Sequence, residues 1–281
     1  MSKRISPLVG VSLFILLTLI ITALFSPQAA PHNPIRERLL DRLLPPAWGQ
    51  DGEWQYVLGT DHLGRDVLSR IVYGSRVSLV VGAAAVVVGG ALGISLGVAA
   101  GFLGGRSDEL IMALADMQLA FPTILLAIAI IAVLGPSFAN LVMVIGISGW
   151  VTYARIARGQ VLSLREKEFV EAIRAQGGSQ LRIVVRHILP NILSPLIVVA
   201  TLDLARTIIL ESTLSFLGLG IQPPTPSWGG MLSDGREYLL SAWWIATFPG
   251  VALMLTALSF NRLGDWIRDL TDPRLRRTEL Y

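Results

Sequence analysis

The chain has no cysteine, and Lys3 and Lys167 are its only lysines. Without thiols there is no disulfide framework, zinc–thiolate site, iron–sulfur ligation or thiol catalysis. Neither lysine follows a glycine, so the phosphate loop G-x-x-x-x-G-K-[ST] is missing and the chain is not an ATPase by that route. The three histidines, His32, His62 and His187, lie far apart, and no Ser/His/Asp or His/carboxylate group has a useful spacing. No catalytic or metal site is therefore expected. Charge is scarce as well: 15% of residues are Asp, Glu, Lys or Arg, against about 25% in soluble domains. That leaves too little polar skin for a globule in water, and too much apolar residue for a disordered chain.

What is abundant is apolar residue, 53% of the chain before its 27 glycines are counted, which points to lipid as the solvent. A spanning helix takes about 20 mostly apolar residues. Six segments qualify, at roughly 7–26, 78–102, 110–133, 138–157, 189–211 and 242–262. The first follows Lys3 and Arg4 and precedes Gln28-Ala29-Ala30, as a signal peptide does. Its apolar run nevertheless exceeds the usual h-region of about 7–15 residues, which favours an uncleaved span. Six spans put both termini on one side. Placing them in the cytoplasm puts about twice as many Lys and Arg there as outside, in line with the positive-inside bias. Most of the outer arginines fall in one long segment between the first two spans.

The second span carries Gly89, Gly93, Gly97, Gly101 and Gly105 at every fourth position. This spacing forms a stripe of missing side chains where a neighbouring backbone can approach. Tight helix packing is the simpler use of such a stripe, and a solute-lining groove the other. Asp116, Asp203, Arg206 and Glu211 fall at membrane depth, where an ionised group must face protein or water. Asp203 and Arg206 are three residues apart and can pair on one helix face; lining a polar path or relaying protons are the alternative roles.

Between the fourth and fifth spans, residues 152–187 are too polar to cross. Phe169, Val170 and Ile173, then Leu181, Val184 and Val185, recur at helical spacing, with Gly177-Gly178 between them. The pattern is a helix, a glycine turn and a second helix. A basic loop beside anionic lipid would look like this, and so would a surface that docks a soluble partner.

Glu171-Ala172-Ile173-Arg174-Ala175-Gln176-Gly177, followed by Ile188-Leu189-Pro190, resembles the EAA loop of permease subunits of ATP-binding-cassette importers. It departs from the pattern at Ile173, in place of the second alanine, and at His187, in place of an isoleucine. A second block, Leu58-Gly59-Thr60-Asp61-His62-Leu63-Gly64-Arg65-Asp66-Val67-Leu68-Ser69-Arg70 with Tyr73-Gly74-Ser75-Arg76-Val77-Ser78-Leu79, is similar to the stretch before the second span in the "C" subunits of dipeptide, oligopeptide and nickel permeases. So are Leu217-Gly218-Leu219-Gly220 through Trp228-Gly229, Trp243-Trp244 and Phe248-Pro249-Gly250. Locally, Thr60 and Asp61 can cap a helix beginning near Gly64, and Arg65 can answer Asp61 or Asp66; contact with solute or binding protein is the other role open to this block. Pro223, Pro224 and Pro226 make a stiff outer loop, which can shape the outer mouth or simply connect two spans.

The resemblance implies an all-α polytopic fold of six transmembrane helices, the type I importer permease. Residues 1–26 form the amino-terminal end and first span, 27–77 an outer periplasmic segment, 78–262 a five-helix core with a cytoplasmic coupling loop at 158–188, and 263–281 a cytoplasmic tail. Glu171, Ala172, Gly177, Leu189 and Pro190 would couple to the ATPase, and Gly59, Thr60, Asp61, Gly64, Arg65 and Asp66 would carry the outer motif. The implied partners are a second homologous permease subunit, two ATP-binding subunits that hold ATP and Mg, a periplasmic or lipid-anchored binding protein, and the lipid of a bacterial inner membrane. No nucleic acid and no cofactor on this chain are expected. Leu44-Pro45-Pro46-Ala47-Trp48 resembles dipeptide permeases most, which favours di- or oligopeptides; nickel or glutathione is the alternative within the family, and a proton-coupled secondary transporter the alternative outside it.

Overall fold

The computed structural model describes residues 6–271, and these are helical wherever they are regular. The helices are α1 (Pro7–Leu24), α2 (Val67–Leu103), α3 (Gly105–Leu119), α4 (Thr123–Leu134), α5 (Phe138–Arg165), α6 (Glu168–Ala175), α7 (Leu189–Phe216), α8 (Trp228–Gly235) and α9 (Trp244–Thr271), with single turns between some of them. Lys3, Arg4 and the terminal stretch with Asp272-Pro273, Arg274, Arg276 and Arg277 lie outside the described residues.

Five helical runs are long and apolar enough to cross a bilayer. The expected third span is different. It is broken between Leu119 and Thr123, and its halves α3 and α4 meet at 89°. Pro122 is the cause, since it removes an N–H and pushes Phe121 out of helical conformation. Counted as one, the bent pair makes the sixth crossing. The other spans run longer than the apolar core of each. α2 has 37 residues and starts at Val67 rather than at 78, so about three turns of the expected outer segment belong to it. Its length is about 55 Å at 1.5 Å per residue, well beyond the ~30 Å of bilayer hydrocarbon. α5 runs on past 157 to Arg165 and α9 past 262 to Thr271, so the start of the expected tail is helix.

Caps set the starts. Ser6 Oγ accepts from the Val9 N–H ahead of Pro7 at the first helical position. Asp66 accepts from the Ser69 N–H at the head of α2, and Ser137 accepts from the Asn140 N–H at the head of α5. In each case a side-chain oxygen satisfies one of the donors that a helix start leaves unpaired. The N-cap of α2 is thus Asp66, and not Thr60 or Asp61 as the sequence suggested; Thr60 and Asp61 are taken up by the loop in front.

The glycine stripe packs helices. A Cβ on Gly89 would lie 2.6 Å from the Gly146 carbonyl oxygen, on Gly93 2.2 Å from that of Trp150, on Gly97 2.3 Å from that of Ala154, and on Gly101 2.9 Å from that of Arg158. Both helices advance by four residues per contact, so α2 and α5 run parallel with backbone against backbone. Gly105 does not share the seam. It has no neighbour within 4 Å and a φ of +53°, because with Gly104 (φ +68°) it turns the chain from α2 into α3. The chain returns through α3 and α4 to start α5 at the same end as α2. α7 then runs antiparallel to both, and α9 comes back. One end of the bundle carries the segment 30–66, and the other carries the loop 166–188.

Apolar side chains line the outside as they would in lipid: Phe14, Val87, Val133 and Leu258 are exposed. Inside, Leu16, Val67, Ile208, Trp228, Trp244 and Phe260 fill the segment end. Val98, Tyr153, Val161, Val170, Ile183, Ile188 and Leu196 fill the loop end.

The seam makes a direct prediction. Gly93→Leu places a side chain where the Trp150 carbonyl stands, and overpacking of this kind costs about 1–3 kcal/mol or more; the detergent-solubilised chain should unfold at a lower temperature. Gly159→Ala, on α5 with nothing within 4 Å, should raise stability by about 0.5–1 kcal/mol. Equal effects of the two in a thermal-unfolding assay would remove the seam from the explanation of the fold.

Candidate functional site

Three groups of polar residues stand out against the apolar bundle: one in front of α2, one in the loop after α5, and one at membrane depth.

The first is a buried knot of charge. Gly59 turns the chain at φ +80°, and a Cβ there would sit 2.5 Å from the Leu44 carbonyl oxygen and 2.9 Å from Trp244 Nε1, so only glycine fits. Thr60 is pinned on three sides: its hydroxyl donates to the Asp41 carbonyl and accepts from the Leu44 N–H, and its carbonyl accepts from Trp244 Nε1 at 2.9 Å. Asp61 has no exposed surface. One of its carboxylate oxygens accepts from the Leu63 and Arg65 N–H groups at 2.8 and 2.9 Å. The other takes Arg65 Nε at 2.7 Å and Arg70 Nη1. Arg65 Nη2 and Arg70 Nη2 then converge on Asp234 Oδ2 of α8 at 3.3 and 3.2 Å. Two arginines and two aspartates balance, and they join the loop, α2 and α8.

Burial pushes the Asp61 carboxyl upward, but Arg70, Arg65 and the two backbone N–H groups outweigh it and hold the pKa below the usual aspartate value. Of the two partners the sequence allowed, Arg65 answers Asp61. Asp66 instead caps α2 and takes the Ser69 hydroxyl, with His32 Nδ1 at 3.3 Å. Gly64, at φ +73°, lies against the Arg38 carbonyl. Asp234 and Arg70 were not among the expected site residues; Arg70 closes the outer block, whereas no local pattern marks Asp234.

The second group is the loop. α6 is eight residues long, and Val170 and Ile173 join the bundle core, while Glu171, Ala172 and Arg174 are exposed. The helix ends on Gly177 at φ +79°. Gly177 N–H donates to the Arg174 carbonyl, and Gly178 N–H to that of Ile173 at 2.9 Å, a Schellman closure of the helix end. A Cβ on Gly178 would meet Ile173 at 2.5 Å, so both glycines are needed. The Ile173 that departs from the EAA pattern is a core side chain. After the turn, a helical turn (Gln180–Ile183) and a π-helical one (Val184–Ile188) run straight into α7, so Leu189 and Pro190 open a spanning helix instead of closing the loop. Arg165 Nη1 donates to the Gly101 carbonyl at 2.8 Å, and Arg174 lies over the Phe102 ring. These contacts tie the loop to the end of α2.

The third group is the set of intramembrane charges, which find different partners. Asp116 pairs with Arg155 of α5 at 2.5 Å, both exposed, and one turn away Arg158 grips Asp108 with two bonds at 2.5 and 2.6 Å. Glu211 is fully buried and accepts from Ser78, Ser212 and Ser215 hydroxyls at 3.1, 3.2 and 2.7 Å. The expected Asp203–Arg206 pair does not form. Asp203 accepts from the Tyr153 hydroxyl of α5 at 3.1 Å, and Arg206 is exposed with no ion pair among the described residues. Asp203 leans toward α5 and Arg206 toward the open face.

The charge knot is testable before any function is assigned. Asp61→Asn leaves Arg65 and Arg70 buried around Asp234 alone, and breaking a buried ion pair costs about 3–5 kcal/mol; the purified protein should lose thermal stability, while Glu53→Gln, on an exposed side chain of the same segment, should not. Because the folded-state pKa of Asp61 is depressed, its contribution is complete above the unfolded value of about 3.9 and is lost as pH falls below it. Stability that declines already between pH 7 and 5 in step with loss of the Asp61 contribution would contradict the assignment.

Residues 93–277 match the family of binding-protein-dependent transport system inner membrane components. The chain is 45% identical, over 94% of its length and 87% of the relative's, to the di/tripeptide transport system permease protein DppC of Pseudomonas aeruginosa. It is 43% identical, over 96% of its length and 88% of the relative's, to the probable D,D-dipeptide transport system permease protein DdpC of Escherichia coli. Among solved structures it resembles the inward-facing MetNI methionine ABC transporter, with a TM-score of 0.58 at 18% identity, covering 72% of this chain and 97% of that one. That likeness reports the fold. The packed helical bundle, the apolar exterior and these matches together place the chain in the family of inner membrane permease components of binding-protein-dependent transport systems.

Proposed function

We propose that the chain is one of two permease subunits of an ATP-driven importer of di- and oligopeptides in a bacterial inner membrane, with both termini in the cytoplasm. The observation that carries the reading is the two-sided loop helix α6: Val170 is locked into the core, while the side chains of Glu171 and Ala172 face away from the bundle with no partner among the described residues. A short helix anchored on one face and bare on the other, closed by two obligatory glycines, is suited to sit in a groove of a soluble subunit and to pass that subunit's movement to α5 and α7, which flank it. ATP and Mg belong to two such partner subunits, and this chain contributes no hydrolytic chemistry. A binding protein, periplasmic or lipid-anchored, would deliver solute at the end carrying the Asp61 knot. The names of the relatives support short peptides as that solute.

One chain provides one wall of a path, and a second, homologous permease subunit would provide the other. The bundle then works by population shift: ATP and loaded binding protein move it between outward- and inward-open states only as far as their affinities for the two states differ.

Purification of the tagged chain from native membrane in detergent should bring down a second permease and two ATPase chains. Glu171→Lys and Gly177→Asp, both on the exposed side of the loop, should leave the chain in the membrane but abolish peptide uptake and uncouple or release the ATPase. A chain that purifies alone and transports in a proton gradient would overturn the reading.

A further inference from the structure

Arg206 has an unusual position. In α7 it stands 10 residues before Phe216 and 17 after Leu189, which is about 15 and 25 Å from the two helix ends at 1.5 Å per residue. An arginine within a span is costly in hydrocarbon and is expected to face protein or water. It is exposed on this chain and has no ion pair among the described residues. The small recess it lines is polar for its depth, with Asp203, Ser148, Thr207 and Thr123 around it. Gly149 faces the half-buried Asp203, and a Cβ there would come to 3.6 Å from its Oδ2. The Tyr153 hydroxyl fixes that carboxylate from the side.

The recess therefore presents one cation and one anion, a helical turn apart, that form no ion pair with each other. We propose that Arg206 and Asp203 form a transient site for the two charged ends of a short peptide on its way through the path, Arg206 taking the α-carboxylate and Asp203 the α-ammonium. The proposal deepens the importer reading and rests on it. The spacing suits short chains. Three residues of helix advance about 4.5 Å, the arginine side chain adds reach, and a fully extended dipeptide spans at most about 7 Å. A tripeptide spans about 10 Å and a pentapeptide about 17 Å, too long for both ends to be held together. The Ser148 hydroxyl, which donates to the Val144 carbonyl, can still accept from the peptide amide between the ends without adding charge.

The absence of native cysteine makes a chemical test clean on this subunit. The whole transporter carrying Arg206→Cys, with its binding protein and ATP in vesicles, should take up a free dipeptide about tenfold more slowly, the effect of one lost charge-assisted hydrogen bond, while ATP hydrolysis continues. An aqueous aminoethyl thiosulfonate, which puts an ammonium back at that position, should recover uptake; a sulfonatoethyl reagent should not, and Arg206→Lys should retain most activity. The loss should be smaller for a pentapeptide than for a dipeptide, each relative to the unsubstituted transporter treated alike. An introduced thiol that does not react in the assembled transporter would show that the second subunit covers the position and would overturn the proposal. So would reaction without effect on uptake, or equal losses for peptides of both lengths. Failure of the importer reading would be seen separately, as absence of peptide uptake by the unsubstituted transporter.

Discussion

The close approach of α2 to α5 is the constraint on which the rest of the molecule depends. In lipid an apolar side chain gains little by leaving its surroundings for a neighbouring helix, so association has to come from van der Waals contact and from polar bonds. Gly89, Gly93, Gly97 and Gly101 supply the contact by letting the backbone of α5 come within a distance that no other residue allows. Because each glycine meets a carbonyl four residues further along α5, the register of the two helices is fixed to the residue. That register sets where Tyr153 stands relative to Asp203, and where Arg158 stands relative to Asp108.

α2 also connects the two polar ends. At its head, Asp66 caps the first turn and Arg70 enters the knot with Asp61 and Asp234. At its foot, the Gly101 carbonyl accepts Arg165, and the Phe102 ring carries Arg174 of the loop helix. A helix of 37 residues held against a second helix along four glycine contacts is stiff, so the Asp61 knot and the foot of the loop move as parts of one body. α7 is built differently. It enters through a π-helical turn at Val184–Ile188 and carries Pro195 inside, both of which interrupt the regular hydrogen-bond ladder.

The charges divide by what surrounds them. The Asp61 knot is balanced: Arg65 answers Asp61 within the loop, and Arg70 and Asp234 join it from α2 and α8. The Arg155–Asp116 pair is exposed on the chain and worth at most about 1 kcal/mol on its own. Glu211 is held by three hydroxyls and no cation. Asp203 and Arg206 stand a helical turn apart without forming an ion pair, and this sets them apart from the pairs that hold the bundle together.

Much of this was legible in the sequence where the relevant contact is short in chain distance or periodic. Spacing alone gives the apolar runs, the fourfold glycine stripe, and the helix, glycine turn and helix of the loop, because a period of 3.6 residues and a positive φ are local properties. The Asp61–Arg65 pair lies within one turn and was among the two choices the sequence allowed. What the sequence did not reveal lies at long range or depends on direction. Asp234 joins Arg65 and Arg70 from more than 160 positions away, and Arg155 reaches Asp116 across 39, distances over which no residue pattern specifies a partner. Asp203 and Arg206 show the subtler failure: a spacing of three permits a pair, but the Tyr153 hydroxyl supplied by α5 takes the carboxylate first. Pro122 shows the converse, for the break in the third span follows from one residue that a count of apolar positions does not see. Hydropathy measures whether a segment can lie in lipid; the hydrogen-bond ladder decides whether it can run straight through, and only the second separates one long helix from two short ones meeting near a right angle.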